Sequence, residues 1–176
     1  MACSQTLLGI AQDCSTSQGG IVKAWLTNYA DGIFTVSADT SGTPVAVSAI
    51  SSAVTFYEYN FRKGTGSLTS TLNIDDANGI NYVSTEVLLQ FNRMETAKRT
   101  AIAALALGGL AGIVKDGNGK YWAIGVDEAV NATAGTAQTG TAKTDGNYYQ
   151  ITLTDDYRSF PLEVPATVAE NITIAV

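Results

Sequence analysis

The segment FNRMETAKRTAIAALALGGLAGIVKDGNGKYW (residues 91–122) is the one stretch of this chain with a helical period. Met94, Ala97, Ala101, Ala104, Leu105 and Gly108 recur at three- and four-residue spacing among good helix formers. The spacing predicts a helix over about residues 93–108, amphipathic in its first two turns, small-faced afterwards, and ended by Gly108-Gly109. Directly after it, GIVKDGNGKYWAIGV reads as a strand, a tight turn at Asp116-Gly117-Asn118-Gly119, and a return strand carrying Tyr121 and Trp122. Glycines that end a helix and open a strand also explain Gly108, Gly109 and Gly112 better than a membrane packing motif does. The apolar run from Ala101 to Val114 is shorter than the ~20 residues a span requires.

Outward from this segment the period is two. Upstream, GINYVSTEVLLQFN places Val83, Thr85, Val87, Leu89 and Phe91 on one face of a long strand. VTFYEYNFRKGTGSLTSTLNI reads as a hairpin over residues 54–74, turning at Lys63-Gly64-Thr65-Gly66. In its first arm Thr55, Tyr57, Tyr59 and Phe61 share a face, and in its second Leu68, Leu72 and Ile74 do. GIVKAWLTNY alternates Val22, Ala24 and Leu26 against Lys23, Trp25 and Thr27, and IFTV and PVAVSAI continue as short strands. Downstream, residues 128–146 are poor in large apolar side chains and read as a flexible loop. NYYQITLTDDYRSFPLEVP and TVAENITIAV supply closing strands. The sum is a mainly β chain of about ten strands, a β-sandwich or barrel with one α-helix packed on the sheet.

The 176 residues, 45% apolar and 15% charged, suit a single domain over residues 1–176. The net charge of −6, without a long basic block, argues against a protein that grips nucleic acid. Basic residues nonetheless concentrate between Arg62 and Lys120, either as a solvated face or for charge pairing between subunits. Cys3 and Cys14 match neither a redox CxxC nor a zinc pattern; two free thiols are the expectation, a disulfide the alternative. MACSQTLLGIAQDC lacks the basic start and apolar run of a signal peptide, so synthesis in a cytoplasm is expected.

The chain contains no histidine, which removes Ser-His-Asp and Cys-His catalysis and histidine-bearing metal sites. The carboxylate pairs Asp75-Asp76, Asp127-Glu128 and Asp155-Asp156 sit at strand ends, where acids serve turns. GNGKYW lacks phosphate-loop spacing, and the Asn131-Ala132-Thr133 and Asn171-Ile172-Thr173 triplets read as chance matches. Tyr57, Tyr59 and Phe61 read first as sheet packing and second as a stacking platform. The sequence therefore points to no enzyme and no cofactor.

The order of a long hairpin, a strand running into one helix, DGNGKYWAIG, a flexible loop and DGNYYQITLTDD resembles bacteriophage tail-tube or tail-ring virion proteins. Within them it is most similar to those of phages infecting Bacteroidetes. The resemblance implies a structural protein whose copies, commonly six, join their sheets side by side into a ring lined by a continuous β-barrel. Genome and ejected proteins pass through stacked rings without specific DNA binding. Partners would be further copies and other tail or portal-proximal proteins, with no membrane anchor and residence in the virion tail. It brings no catalytic residue. It marks the 54–74 segment as an inter-subunit element, with Tyr57, Tyr59, Phe61, Arg62, Lys63, Leu68 and Leu72 as its contact residues, residues 1–19 as an N-terminal arm and residues 128–146 as a contact loop. A capsid decoration or head-fibre protein is the alternative, and a carbohydrate-binding or adhesin module a further one.

Overall fold

The computed structural model describes residues 9–10, 14–40, 42–75 and 77–175. In chain order it forms β1 (Ile21–Asn28), β2 (Phe34–Ala38), β3 (Pro44–Ile50), β4 (Thr55–Asn60), β5 (Ser67–Asp75) and β6 (Ile80–Asn92). Helix α1 (Thr96–Leu107) follows, then β7 (Leu110–Asp116), β8 (Tyr121–Ile124), β9 (Asn131–Gln138), β10 (Tyr148–Tyr157), β11 (Leu162–Val164), α2 (Ala166–Ala169) and β12 (Thr173–Ile174). The strands make two sheets, one of eight in the order β12-β4-β1-β7-β8-β11-β3-β2 and one of four in the order β5-β6-β10-β9. A mainly β sandwich with one substantial helix, as the period of two demands, is what the residues build.

Two apolar clusters hold the layers. Between the sheets, Ala24, Leu26, Val114 and Ile124 of the large sheet meet Val87, Leu89, Phe91, Ile151 and Leu153 of the small one. On its other side the large sheet curls around Trp25, Phe34, Val47, Phe56, Ile113, Tyr121 and Leu162. β1 and β7 are therefore buried on both faces, which is why Trp25 and Leu26 are neighbours in sequence and both buried. Val22 departs from the expected alternation and is exposed, because the register of β1 on β7 shifts between Ile21 and Lys23 and Ile21 takes the inward place.

The β7–β8 hairpin forms as expected. Asp116 organises its turn: Oδ1 accepts the Asn118 and Lys120 N–H groups at 2.8 Å each, and Oδ2 accepts the Trp122 indole N–H at 3.1 Å. The stretch before β1 is tied to this turn, since the Gln18 N–H donates to Asn118 Oδ1 at 2.7 Å. The rest of the expected arm lies largely outside the described residues, as does Cys3, while Cys14 is exposed.

Four sequence expectations require correction. Residues 54–74 are not a hairpin: β4 pairs with β1 and β12 in the large sheet, whereas β5 pairs with β6 in the small one. A period of two fixes which face of a strand is apolar, not which strand lies beside it. The Lys63–Gly66 turn is a crossing between sheets, held where Ile21 N–H donates to the Gly66 carbonyl at 3.2 Å. Gly66 is required there, since a Cβ would stand 2.7 Å from Ile21 Cγ1 and 2.8 Å from Phe61 Cε2. Within the 128–146 segment, expected to be a loop throughout, β9 pairs with β10 over almost its whole length. Its small side chains hid it, because Ala and Gly carry no strand signal of their own.

The helix begins three residues later than expected and faces inward through Ile102 and Leu105, with Ala97, Ala101 and Ala104 exposed. It bridges the gap between the two sheets, so its narrow apolar contact needs only one side chain per turn. Finally, TVAENITIAV gives the short helix α2 and the two-residue strand β12 in place of a long closing strand.

Candidate assembly interface

The small sheet is amphipathic by alternation, Leu88 being an apolar exception on its outward side. Its inward side carries Val83, Thr85, Val87, Leu89 and Phe91 of β6 with Ile151 and Leu153 of β10, all buried. Buried Thr85 is satisfied by Ser70 at 2.9 Å. The outward side of the same strands presents Thr69 and Thr71 of β5, Ser84, Glu86 and Gln90 of β6, Gln150, Thr152 and Thr154 of β10, and Thr136 of β9, with Tyr82, Leu88 and Tyr148 among them. Thr133 and Thr154 hydroxyls meet at 2.8 Å across it. Helix α1 approaches this sheet at β9, beside Ala132 and Ile151 of the inward side. None of the ten basic residues of the chain lies on β5, β6, β9 or β10, while Asp75, Glu86, Asp155 and Asp156 do.

Both margins of this sheet are open. β5 pairs only with β6, and β9 only with β10, among the described residues. The open strands are nine and eight residues long, contain no proline or lysine, and carry a single charge, Asp75. Natural edges are shortened, bulged, charged or covered to prevent pairing with another chain; β5 has little such protection, and β9 has one register shift and the approach of α1 near Ala132–Gly135. Every neighbouring pair in the sheet is antiparallel, so β5 and β9 run in opposite directions. A copy rotated alongside would therefore set its β9 antiparallel to β5 and continue the pattern without a break.

The contact residues expected from sequence are dispersed. Tyr57 is 55% exposed on β4 of the large sheet. Tyr59 and Phe61 instead pack on Phe91, with ring centroids 6.1 and 6.4 Å away, and burial raises the Tyr59 phenol above its ordinary pKa. Leu68 packs on the inter-sheet core, and Arg62 and Lys63 are exposed in the crossing. Leu72 is exposed on the true long hairpin, β5–β6, whose far end also exposes Ile74, Ile80 and Tyr82. The hairpin turn is fixed by Asp75, which accepts from the Ala77 and Asn78 backbones and the Asn78 side chain. Those Asn78 and Ala77 bonds hold its carboxyl below the usual range. Sequence reasoning missed β9 altogether, although Ala132, Ala134 and Thr136 spaced two apart are a weak trace of it.

Asp155 is the one buried acid among the described residues, 5% exposed. Its Oδ2 accepts the Gly125 N–H at 2.9 Å, tying β10 to the turn that carries the chain from the large sheet to the small one. Gly125 has φ +72, and a Cβ there would stand 2.8 Å from the Leu110 carbonyl. Burial pushes the Asp155 carboxyl above its ordinary pKa, and the charges of Asp156, Glu128 and Asp127 push the same way against the Gly125 hydrogen bond. A cavity of about 270 Å³ lies between α1 and the large sheet, bounded by Leu26, Tyr57, Tyr59, Ala101, Leu105 and Leu110. No group of three or more Cys, Asp or Glu arranged to hold a metal occurs among the described residues. The chain matches no protein-family model, no curated protein and no solved structure.

Proposed function

We propose that this chain is a structural subunit of a bacteriophage tail tube or tail ring, acting by assembly and catalysing nothing. Copies join the β5 margin of one small sheet to the β9 margin of the next, and the small sheets together form the wall of a channel. The observation that carries it is the pair of long, nearly uncharged open margins on one antiparallel sheet. The outward side of that sheet, hydroxyl- and amide-rich and without a basic residue, suits a wet bore through which a polyanion must slide. The apolar side, backed by the large sheet and α1, faces away from it.

The dimensions are consistent. Six copies would supply about 24 strands, and at ~4.8 Å per strand the wall would be about 115 Å around, a radius of roughly 18 Å before tilt widens it. Side chains still leave an open centre. Negative-stain microscopy with light scattering on the purified protein tests this: rings or short tubes are expected, and a monomer at every concentration overturns it. A compact trimer without a central opening would instead favour a capsid decoration protein.

A further inference from the structure

Where β6 ends and β10 begins, a polar groove of about 510 Å³ opens among Arg62, Gln90, Asn92, Arg93, Asn147 and Tyr148. Small-ligand sites have volumes of this order. Three segments distant in sequence build it: the crossing after β4, the end of β6 and the loop before β10. Arg62 and Arg93 are exposed, and neither makes an ion pair among the described residues. One acid shares the lining, Asp145, and its Oδ2 already accepts the Thr141 and Ala142 N–H groups at 2.7 Å each. The groove is therefore cationic in a chain of net charge −6.

The backbone beneath both guanidinium groups is held in place. Arg93 is the one residue other than glycine with a positive φ among the described residues, +66, a conformation that a Cβ disfavours. Asn147 clamps it there: its carbonyl accepts the Arg93 N–H at 2.7 Å, and its Oδ1 accepts the Met94 N–H at 2.8 Å. Strain kept by such a clamp concentrates at ligand-binding positions. Across the groove, the Arg62 carbonyl accepts the Thr65 N–H at 3.1 Å and the Thr65 hydroxyl at 2.6 Å. Gly146 lets the loop lie against the Tyr148 ring, since a Cβ would stand 2.8 Å from its Cε1.

The lining selects the chemistry of an occupant. Guanidinium groups pair with carboxylate or phosphate oxygens through two parallel bonds. The amides of Gln90, Asn92 and Asn147 are of the kind that exchange hydrogen bonds with hydroxyls, and half-buried Tyr148 adds an aromatic surface. A nucleic-acid strand would need successive phosphates neutralised. The positive charge stops at the groove, because β5, β6, β9 and β10 carry no basic residue and Glu86 lies further along the outward side of β6.

We propose that this groove binds a hydroxyl-bearing oxyanion of monosaccharide size, a sugar acid or a polyol phosphate, with its charged group between Arg62 and Arg93 and its hydroxyls on the surrounding amides. The groove is complete within one copy, so the site stands apart from the ring assembly described above.

Calorimetric titration of the full chain with glucuronate, glycerol phosphate, glucose and inorganic phosphate, each separately, tests it. Glucuronate or glycerol phosphate should bind in the millimolar range, at least about tenfold tighter than glucose or inorganic phosphate. Whichever of the two binds tighter identifies the charged group as carboxylate or phosphate. R62Q, altered in an exposed side chain, should weaken that binding at least about tenfold at an unchanged melting temperature. R93G should weaken it as much while raising the melting temperature by about 2–4 °C, because glycine adopts this φ without strain. No binding of either hydroxyl-bearing anion, glucose or inorganic phosphate binding as tightly as both, or wild-type affinity in R62Q and R93G would overturn the proposal. Retention of single-stranded DNA that R62Q abolishes, at an affinity above that for any of the small anions, would likewise overturn it and assign the groove to nucleic acid.

Discussion

Proline substitution on β9 separates the open margin from the paired one. N–H groups alternate in direction along a strand, so of Thr136 and Ala137 one points at β10 and the other at the open margin. Along that margin roughly four of the eight β9 residues can exchange two bonds each with a neighbour's β5, about eight bonds in all. At a net 0.5–1.5 kcal/mol per bond they contribute about 4–12 kcal/mol. Holding two copies together costs about 4–15 kcal/mol, so one junction alone is marginal and ring closure must supply the rest. Proline on the open margin deletes one donor and orphans a carbonyl in the partner, about 1–3 kcal/mol per junction, or roughly 6–18 kcal/mol over six. T136P and A137P should therefore split. One keeps a melting temperature within about 4 °C of wild type yet elutes as a monomer in size exclusion with light scattering. The other breaks the β9–β10 ladder and melts well below it. Two variants that both assemble like wild type would refute the pairing of margins.

Asp155 makes stability depend on pH. Its carboxyl binds a proton more tightly folded than unfolded, so its contribution is present in acid and is lost as pH rises through the folded pKa. D155N keeps an oxygen for the Gly125 N–H and cannot ionise; it should be more stable than wild type by about 1 kcal/mol at pH 8, with the gap closing toward pH 4 in denaturant titrations. G66A forces a Cβ against Ile21 and Phe61 and should cost about 1–3 kcal/mol, seen as a lower urea midpoint at unchanged slope. L89A empties a fully buried site between the sheets and should cost about 2–5 kcal/mol by the same titration.

What could be read from sequence was local. β6 was legible because Val83 through Phe91 alternate over nine of its thirteen residues, and the β7–β8 hairpin because Asp116-Gly117-Asn118-Gly119 carries its own turn chemistry. The partner of β4 was not, since Tyr57, Tyr59 and Phe61 would alternate identically beside β5 or facing it across a core. The helix face was misjudged for a related reason: a run of Ala offers several equivalent stripes, and only the gap between two sheets selects Ile102 and Leu105. β9 was invisible because its side chains contribute little burial of their own, and it exists through its ladder with β10. The open margins are a property of strand order and register, which no single segment encodes.

Amide hydrogen exchange, compared between dilute and assembled protein, tests the joining of margins most directly. Assembly should slow exchange across residues 67–75 and 131–138 together, with β6 and β10, already paired on both sides, nearly unchanged. Assembly that leaves β5 and β9 exchanging as they do in the dilute protein would contradict it.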